Sequence, residues 1–318
     1  PFRDYVDWHT AHDFGTSEAF WRELLQGVTP TPVPGVQPGY EPGELVQQSA
    51  RLAREHTAAL EALAAERKLT LNTLVQAAWG VLLARHSGVS DVVFGTTRAC
   101  RRSAAGGAET IVGPVFNSLP LRLRLLPGAS LLECAEALRA QSIDVRPHEH
   151  TPLQRIQEWC GAAGTPLFQT LVVFENRGMT ETLQGLGGGW HARDVRILRK
   201  SSFPLTLSAY GEAGLLLTVT CDPSRYDEAT VRRLLRHLRV ILEAFAADPH
   251  QAAEEVEFLG GDERRMLAEW NATEYEIPAG ATPLGLFEEW AARTPAAAAA
   301  SYRGTRVSYA ELDGRAAR

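Results

Sequence analysis

The chain has 318 residues, 45% of them hydrophobic and 22% charged, with a formal net charge of −6. This is ordinary globular composition with length for two domains and a sizeable core. It excludes a disordered chain, offers no bulk charge for nucleic acid or anionic lipid, and its short, broken apolar runs give no membrane span.

In chain order, Ser17 to Gln26 reads as a short helix closed by Gly27. The Pro- and Gly-rich stretch 28–43 reads as a loop. Leu60, Leu63 and Ala64 mark a helix over 54–68. Thr70 caps a second one, with Leu74, Ala77, Ala78, Val81 and Leu82 on one face and Gly88 past its end. Asp91 to Thr97 reads as a strand, and Gly106-Gly107 as a loop. Leu119 to Leu125 alternates with period two and predicts a strand with one face in the core. Ser130 and Glu133 form a capping box that opens a helix to about Val145. Thr151-Pro152 predicts an N-cap with Pro at the first helical position and a helix over 152–159. Leu167 to Phe174 is apolar enough for a central strand.

A Gly-rich loop over 178–190 precedes three expected strands at 193–199, 203–210 and 214–221. Asp227 caps the strongest helical pattern, Val231 to Phe245, which ends near Asp248-Pro249. A helix over 262–270, a linker, a helix over 284–293 and a hairpin turning at Arg303-Gly304 follow. The fold class is mixed α/β in two layers over 1–248, then an interdomain linker over 249–283 and the start of another domain over 284–318. Residue 1 is Pro, and the helical pattern after Tyr309 has no stop signal, so both ends read as cut.

Only Lys68 and Lys200 are lysine, and the other basic residues are arginine. Arginine suits phosphate, but these are spread along the chain, which fits compositional bias. Cys100, Cys134, Cys160 and Cys221 lack zinc spacing and read as reduced structural thiols of a cytoplasmic protein with no signal peptide. His148-Glu149-His150, and His9 with His12, are too sparse for a metal set. The expectation is no metal site, with a solvated helix edge for His9 and His12. Gly185 to Trp190 fails the dinucleotide pattern, and no nucleophile-elbow or P-loop motif is present.

Several blocks, in order, resemble the second half of a condensation domain of a nonribosomal peptide synthetase. Phe2 to Trp8 resembles Y-x-D-Y-A-x-W, with Phe2 and Val6 departing. Phe20 to Gly27 is similar to Y-W-x-x-x-L-x-G. Ile111 to Arg122 is similar to V-G-x-F-x-N-T-L-P-x-R, with Val115 and Ser118 departing. His148 to Leu153 resembles H-x-x-x-P-F/L, and Leu167 to Asn176 resembles the P-L-F-x-T-L-x-V-F-E-N strand. Leu286 to Trp290 with Thr294-Pro295, then Val307 to Leu312, resemble the entry and first core block of an adenylation domain.

The resemblance implies a chloramphenicol-acetyltransferase-like C-terminal lobe followed by a truncated adenylation start. It implies amide-bond formation between donor acyl or peptidyl and acceptor aminoacyl thioesters held on phosphopantetheine arms of carrier domains. The family's HHxxxDG motif is not in these 318 residues, which contain no two adjacent histidines. The expected partners are therefore the missing N-terminal lobe, upstream and downstream peptidyl carrier domains and the rest of the adenylation domain, with no nucleic acid or membrane. No cofactor is expected to bind directly. ATP and Mg belong only to a complete adenylation domain, and this stub is not expected to bind them. No catalytic residue is expected in this fragment, which would be inactive alone and expose a tunnel-lining face. Gly113, Asn117 and His148 are the tunnel-lining candidates. Asn117 could equally satisfy a turn backbone, and His148 could equally be a buried, hydrogen-bonded histidine. Segment 175–200 would bridge to the other lobe by analogy. Heterocyclisation, epimerisation and a non-catalytic carrier-docking platform are the alternatives on the same fold.

Overall fold

A computed structural model of the chain describes residues 2–33, 46–101, 110–162, 164–175, 185–186, 189, 201–211, 214–274, 276 and 280–317. The expected loop at Gly106-Gly107, the strand at 193–199, and most of the bridging segment and Gly-rich loop lie outside these residues. The chain divides into two compact units, Pro1–Phe258 and Leu259–Arg318. Among the described residues no helix is long and apolar enough to cross a membrane.

The first unit is built on a six-stranded mixed sheet. Its strands are β1 (Val46–Arg51), β2 (Asp91–Arg98), β3 (Asn117–Arg124), β4 (Thr170–Glu175), β5 (Leu205–Tyr210) and β6 (Leu216–Cys221). Their order is β1-β6-β5-β4-β2-β3. β4 runs parallel to both neighbours, and the other pairs are antiparallel. β1 is a strand that the sequence reading missed, because Gln47, Gln48 and Ser49 on an edge carry no apolar alternation.

The helices are α1 (Phe2–Ala11), α2 (Glu18–Leu24), α3 (Arg54–Glu66), α4 (Leu71–Ser87), α5 (Leu131–Asp144), α6 (Leu153–Trp159) and α7 (Glu228–Ala247). The expected caps of α4, α5 and α7 are present. Thr70 Oγ1 accepts the Thr73 amide, and Gly88 ends α4 at φ 72°. Ser130 and Glu133 close a capping box, and Asp227 accepts from Thr230 N–H. α3, α4, α5 and α7 bury their apolar faces with one face of the sheet in a core including Trp79, Phe94, Leu207, Leu238 and Phe245. On the other face a smaller layer gathers Trp21, Val93, Val145, Ile156 and Phe168, with α2 and α6.

This second layer corrects the one-sided reading of β3. Leu121 and Leu123 join the large core, but Arg122 is buried as well. Its alternation is between two packed environments, one of which accommodates a guanidinium. The second layer also explains Gly95. A Cβ there would lie 2.2 Å from Phe168 Cε2, and that buried ring stacks on Phe203 at 5.1 Å. Gly95→Ala is expected to destabilise the chain by about 1–3 kcal/mol through overpacking. A urea midpoint equal to wild type would show that Phe168 yields freely.

Thr151-Pro152 behaves differently from expectation. Pro152 is itself the N-cap of α6, with no side-chain capping bond. The Thr151 hydroxyl instead donates to the His148 carbonyl and accepts from Trp21 Nε1.

The second unit holds α8 (Gly261–Asn271), α9 (Pro283–Arg293), the hairpin β7 (Ala298–Tyr302) and β8 (Thr305–Ser308), and α10 (Tyr309–Ala316). Thr282 caps α9, and Ser308 with Glu311 caps α10. The hairpin turns at Arg303-Gly304, both with positive φ (47° and 82°), as a two-residue loop matching strand twist requires. Neither α9 nor α10 buries a residue.

Candidate functional site

The site candidates converge on the turn 146–151, between α5 and α6. Arg146–His148 forms a 3₁₀ turn. Glu149 and Thr151 then donate their amides to the carbonyls of Arg146 and His148, at 3.4 and 3.1 Å. Such a tight run leaves several carbonyls pointing outward, and Asn117 at the start of β3 takes two of them. Its Nδ2 donates to the Glu149 carbonyl at 3.0 Å and to that of Thr151 at 2.8 Å, while its Oδ1 accepts the Ser118 amide at 2.9 Å. Asn117 is thus a backbone clamp holding the turn to β3.

His148 is half-buried. Its ring stacks on Phe20 with centroids 4.2 Å apart, and its Nδ1 lies 2.8 Å from Ser17 Oγ. Gly113 stands on another side of the cluster. Its carbonyl accepts from Arg101 Nη2 at 2.8 Å, and a Cβ there would fall 2.4 Å from Phe2 Cδ2. Asn117 and the 148–151 turn therefore touch directly, whereas Gly113 meets α1.

Several partners in this cluster escaped the sequence reading. Glu149 is buried and paired with Arg98, Nε to Oε2 at 3.0 Å; Arg98 also donates to the Ser142 carbonyl. Cys100 Sγ donates to the Glu149 carbonyl at 3.4 Å. Burial, with the nearby Glu149 charge, pushes that thiol up to about 12, so at neutral pH it is protonated and no nucleophile. His150 is buried. The Tyr5 hydroxyl lies 3.3 Å from its Nδ1, Trp8 meets its ring edge-on at 4.8 Å, and His9 Nε2 donates to its carbonyl at 3.1 Å. His9 is therefore half-buried and bonded, which corrects the solvated edge expected there, while His12 remains exposed. The readable signal was Phe2, Tyr5, Trp8, His9 and His12 at helical spacing, an aromatic stripe on α1. Among the described residues no group of three or more His, Cys, Asp or Glu is placed to hold a metal ion. Chemically the cluster is a rigid wall of rings and clamped backbone.

Burial holds both His148 and His150 below the ordinary imidazole value. The unfolded chain then takes up protons, from about pH 6.5 downward, before the folded chain does. Stability is therefore expected to fall on acidification, beginning near that pH. His148→Gln with His150→Gln should flatten the fall. Denaturation midpoints measured from pH 8 to 5 test this, and an equal slope in the variant contradicts it.

A protein-family model described as Condensation domain matches residues 1–268. The chain is similar to a subunit of the linear gramicidin synthase of Brevibacillus parabrevis, 34% identical over 99% of this chain and 4% of that protein. It is 31% identical to surfactin synthase subunit 3 of Bacillus subtilis over 98% of this chain and 25% of that protein. The chain thus spans only a small part of the curated relatives it matches. Among solved structures it resembles the nonribosomal peptide synthetase FmoA3 (TM-score 0.70, 20% identity, covering 98% of this chain and 34% of that one). It also resembles the X-domain from teicoplanin biosynthesis (TM-score 0.66, 21% identity, covering 81% and 60%).

Proposed function

The chain belongs to the condensation-domain family, and from that premise we propose that it is part of the amide-bond-forming region of a nonribosomal peptide synthetase. Two carrier-borne substrates would meet there, a donor acyl or peptidyl thioester and an acceptor aminoacyl thioester, each on a phosphopantetheine arm. The family match over residues 1–268 carries this reading, and the similarity to synthetases over almost the whole chain supports it.

In this reading, residues 1–248, within the compact unit Pro1–Phe258, are the C-terminal lobe. It supplies a wall and carrier contacts, while a lobe bearing HHxxxDG supplies the histidine. Its contribution is orientation of two tethered reactants, for which effective molarities of about 10⁵–10⁸ M are known. The 146–151 turn, clamped by Asn117 and carrying His148, with Gly113 against α1, offers the firm surface such positioning needs. Residues 284–318 would open an adenylation domain, with the Val307 to Leu312 block forming the end of the hairpin and the start of α10.

The test is to sequence the gene upstream of Pro1 for HHxxxDG and to assay the two-lobed protein with two loaded carrier proteins, following dipeptidyl thioester by intact mass. Dipeptide from the two-lobed protein and none from the 318-residue chain is expected. Absence of the motif upstream would leave the platform reading. An intact motif with no dipeptide from any carrier pair would point to cyclisation.

A further inference from the structure

Arg98 and Glu149 also line a cavity of about 530 Å³ in the first unit, which no motif announced. The start of α4 supplies Thr70, Leu71 and Asn72; the end of β2 supplies Thr97; α5 and the turn after it supply Arg139 and Arg146. Most of its wall is polar.

The charges are unevenly matched. Three guanidinium groups line the cavity, with two carboxylates, Glu61 and Glu149. Glu149 is neutralised by Arg98 at 3.0 Å, and Glu61 is solvent-exposed on α3. The guanidinium groups of Arg139 and Arg146 make no ion pair or hydrogen bond with any described residue. Elsewhere this chain pairs its arginines readily, as at Arg22, Arg155, Arg232 and Arg293. The first turn of α4 has no acidic residue to meet its amides, and the positive end of a 17-residue helix faces anions favourably. Two guanidiniums without a carboxylate partner define a complementary ligand, namely an anionic group.

We infer that this cavity is an anion site, with Arg139 and Arg146 gripping a phosphate or carboxylate. A guanidinium fork suits both oxyanions. The anion could come from a carrier-borne arm or from a free small metabolite, and the chemistry is shared. The site stands on the cavity itself and does not depend on the amide-bond reading.

Isothermal titration calorimetry of the full chain, with inorganic phosphate, pantetheine 4′-phosphate, pantetheine and succinate as probes, decides it. Saturable binding of a phosphate or carboxylate probe is expected. It should weaken on the order of tenfold or more in R139Q/R146Q, as loss of charged hydrogen bonds implies. R155Q, on α6, should leave binding unchanged. Pantetheine 4′-phosphate binding more tightly than both pantetheine and phosphate assigns a carrier-borne arm, and equal binding of phosphate and succinate assigns a free anion. No saturable binding by any probe, or an unaltered affinity in R139Q/R146Q, overturns the inference. Should the double variant unfold, R146Q alone, at an exposed position, gives the same reading. No carrier protein or amide-bond turnover enters the measurement, so its failure leaves the synthetase reading standing.

Discussion

Arg122→Met destabilises the chain by about 2–4 kcal/mol, since it strips two backbone carbonyls of a charged donor. The Arg122 side chain is 5% exposed. Its Nε and Nη2 reach the Asp91 carboxylate at 2.8 and 2.6 Å, and its Nη1 donates to the carbonyls of Leu24 and Gln26 at 2.8 and 2.9 Å. Those carbonyls lie at the C-terminal end of α2, where helical partners run out. One guanidinium therefore pins α2 to the edge strand β3. Met fills much of the volume but leaves two carbonyls without their charged donor, while Asp91 keeps Arg124 at 3.7 Å. Arg122→Lys keeps the charge and loses the fork, so it should fall between wild type and Met. Urea midpoints measure all three, and a loss under about 1 kcal/mol for Met would refute the network's importance.

The same network makes an acid-range prediction. Arg122 beside Asp91 holds that carboxyl below the usual carboxylate range. Its contribution is present above the unfolded value, about 3.9, and is lost as pH falls through the folded one. In Arg122→Met this acid-range dependence should shrink.

Trp21→Ala is the second large effect, about 3–5 kcal/mol. Trp21 is fully buried at the centre of the second layer, and its Nε1 donates to Thr151 Oγ1 at 3.1 Å. Thr151 in turn donates to the His148 carbonyl at 2.8 Å. Truncation removes an indole from the core and also frees the hydroxyl that ties the 148–151 turn together. Trp21→Phe separates the two effects. It keeps most of the packing and loses the hydrogen bond, at a cost near 1 kcal/mol. Amide hydrogen exchange at residues 148–151 should rise in both variants. Unchanged protection would mean that Asn117 alone secures the turn.

The fold was legible where local chemistry decides it. Thr70, Ser130 and Asp227 cap helices because a short oxygen-bearing side chain can reach an amide three residues on, whatever lies around it. Arg303-Gly304 was legible as a turn for the same reason. Thr151 resembled these caps, yet its hydroxyl is used by Trp21, 130 residues away in sequence. Arg122 was invisible as a core residue because alternation cannot distinguish a solvent face from a buried face lined with carbonyls. The site was legible only in part. Asn117 and His148 lie in the cluster, but Glu149 is held by Arg98 and His150 by α1, and these pairings are not local. The cavity was hidden altogether, since its lining comes from several separate segments.

The strand order also governs when this body can form during synthesis. Ser49 on β1 meets Thr218 on β6, 169 residues later. At ribosomal rates of about 5–20 residues per second, β1 waits roughly 8–34 s for its neighbour among the described strands. Until then α3 and α4 carry apolar faces over an incomplete sheet, and α7, which covers much of that core, emerges later still. The nascent segment is therefore exposed to aggregation and to chaperone capture until β6 has emerged. The polar character of Gln47, Gln48 and Ser49, which hid β1 from the sequence reading, keeps that waiting edge from pairing with its neighbours on the polysome.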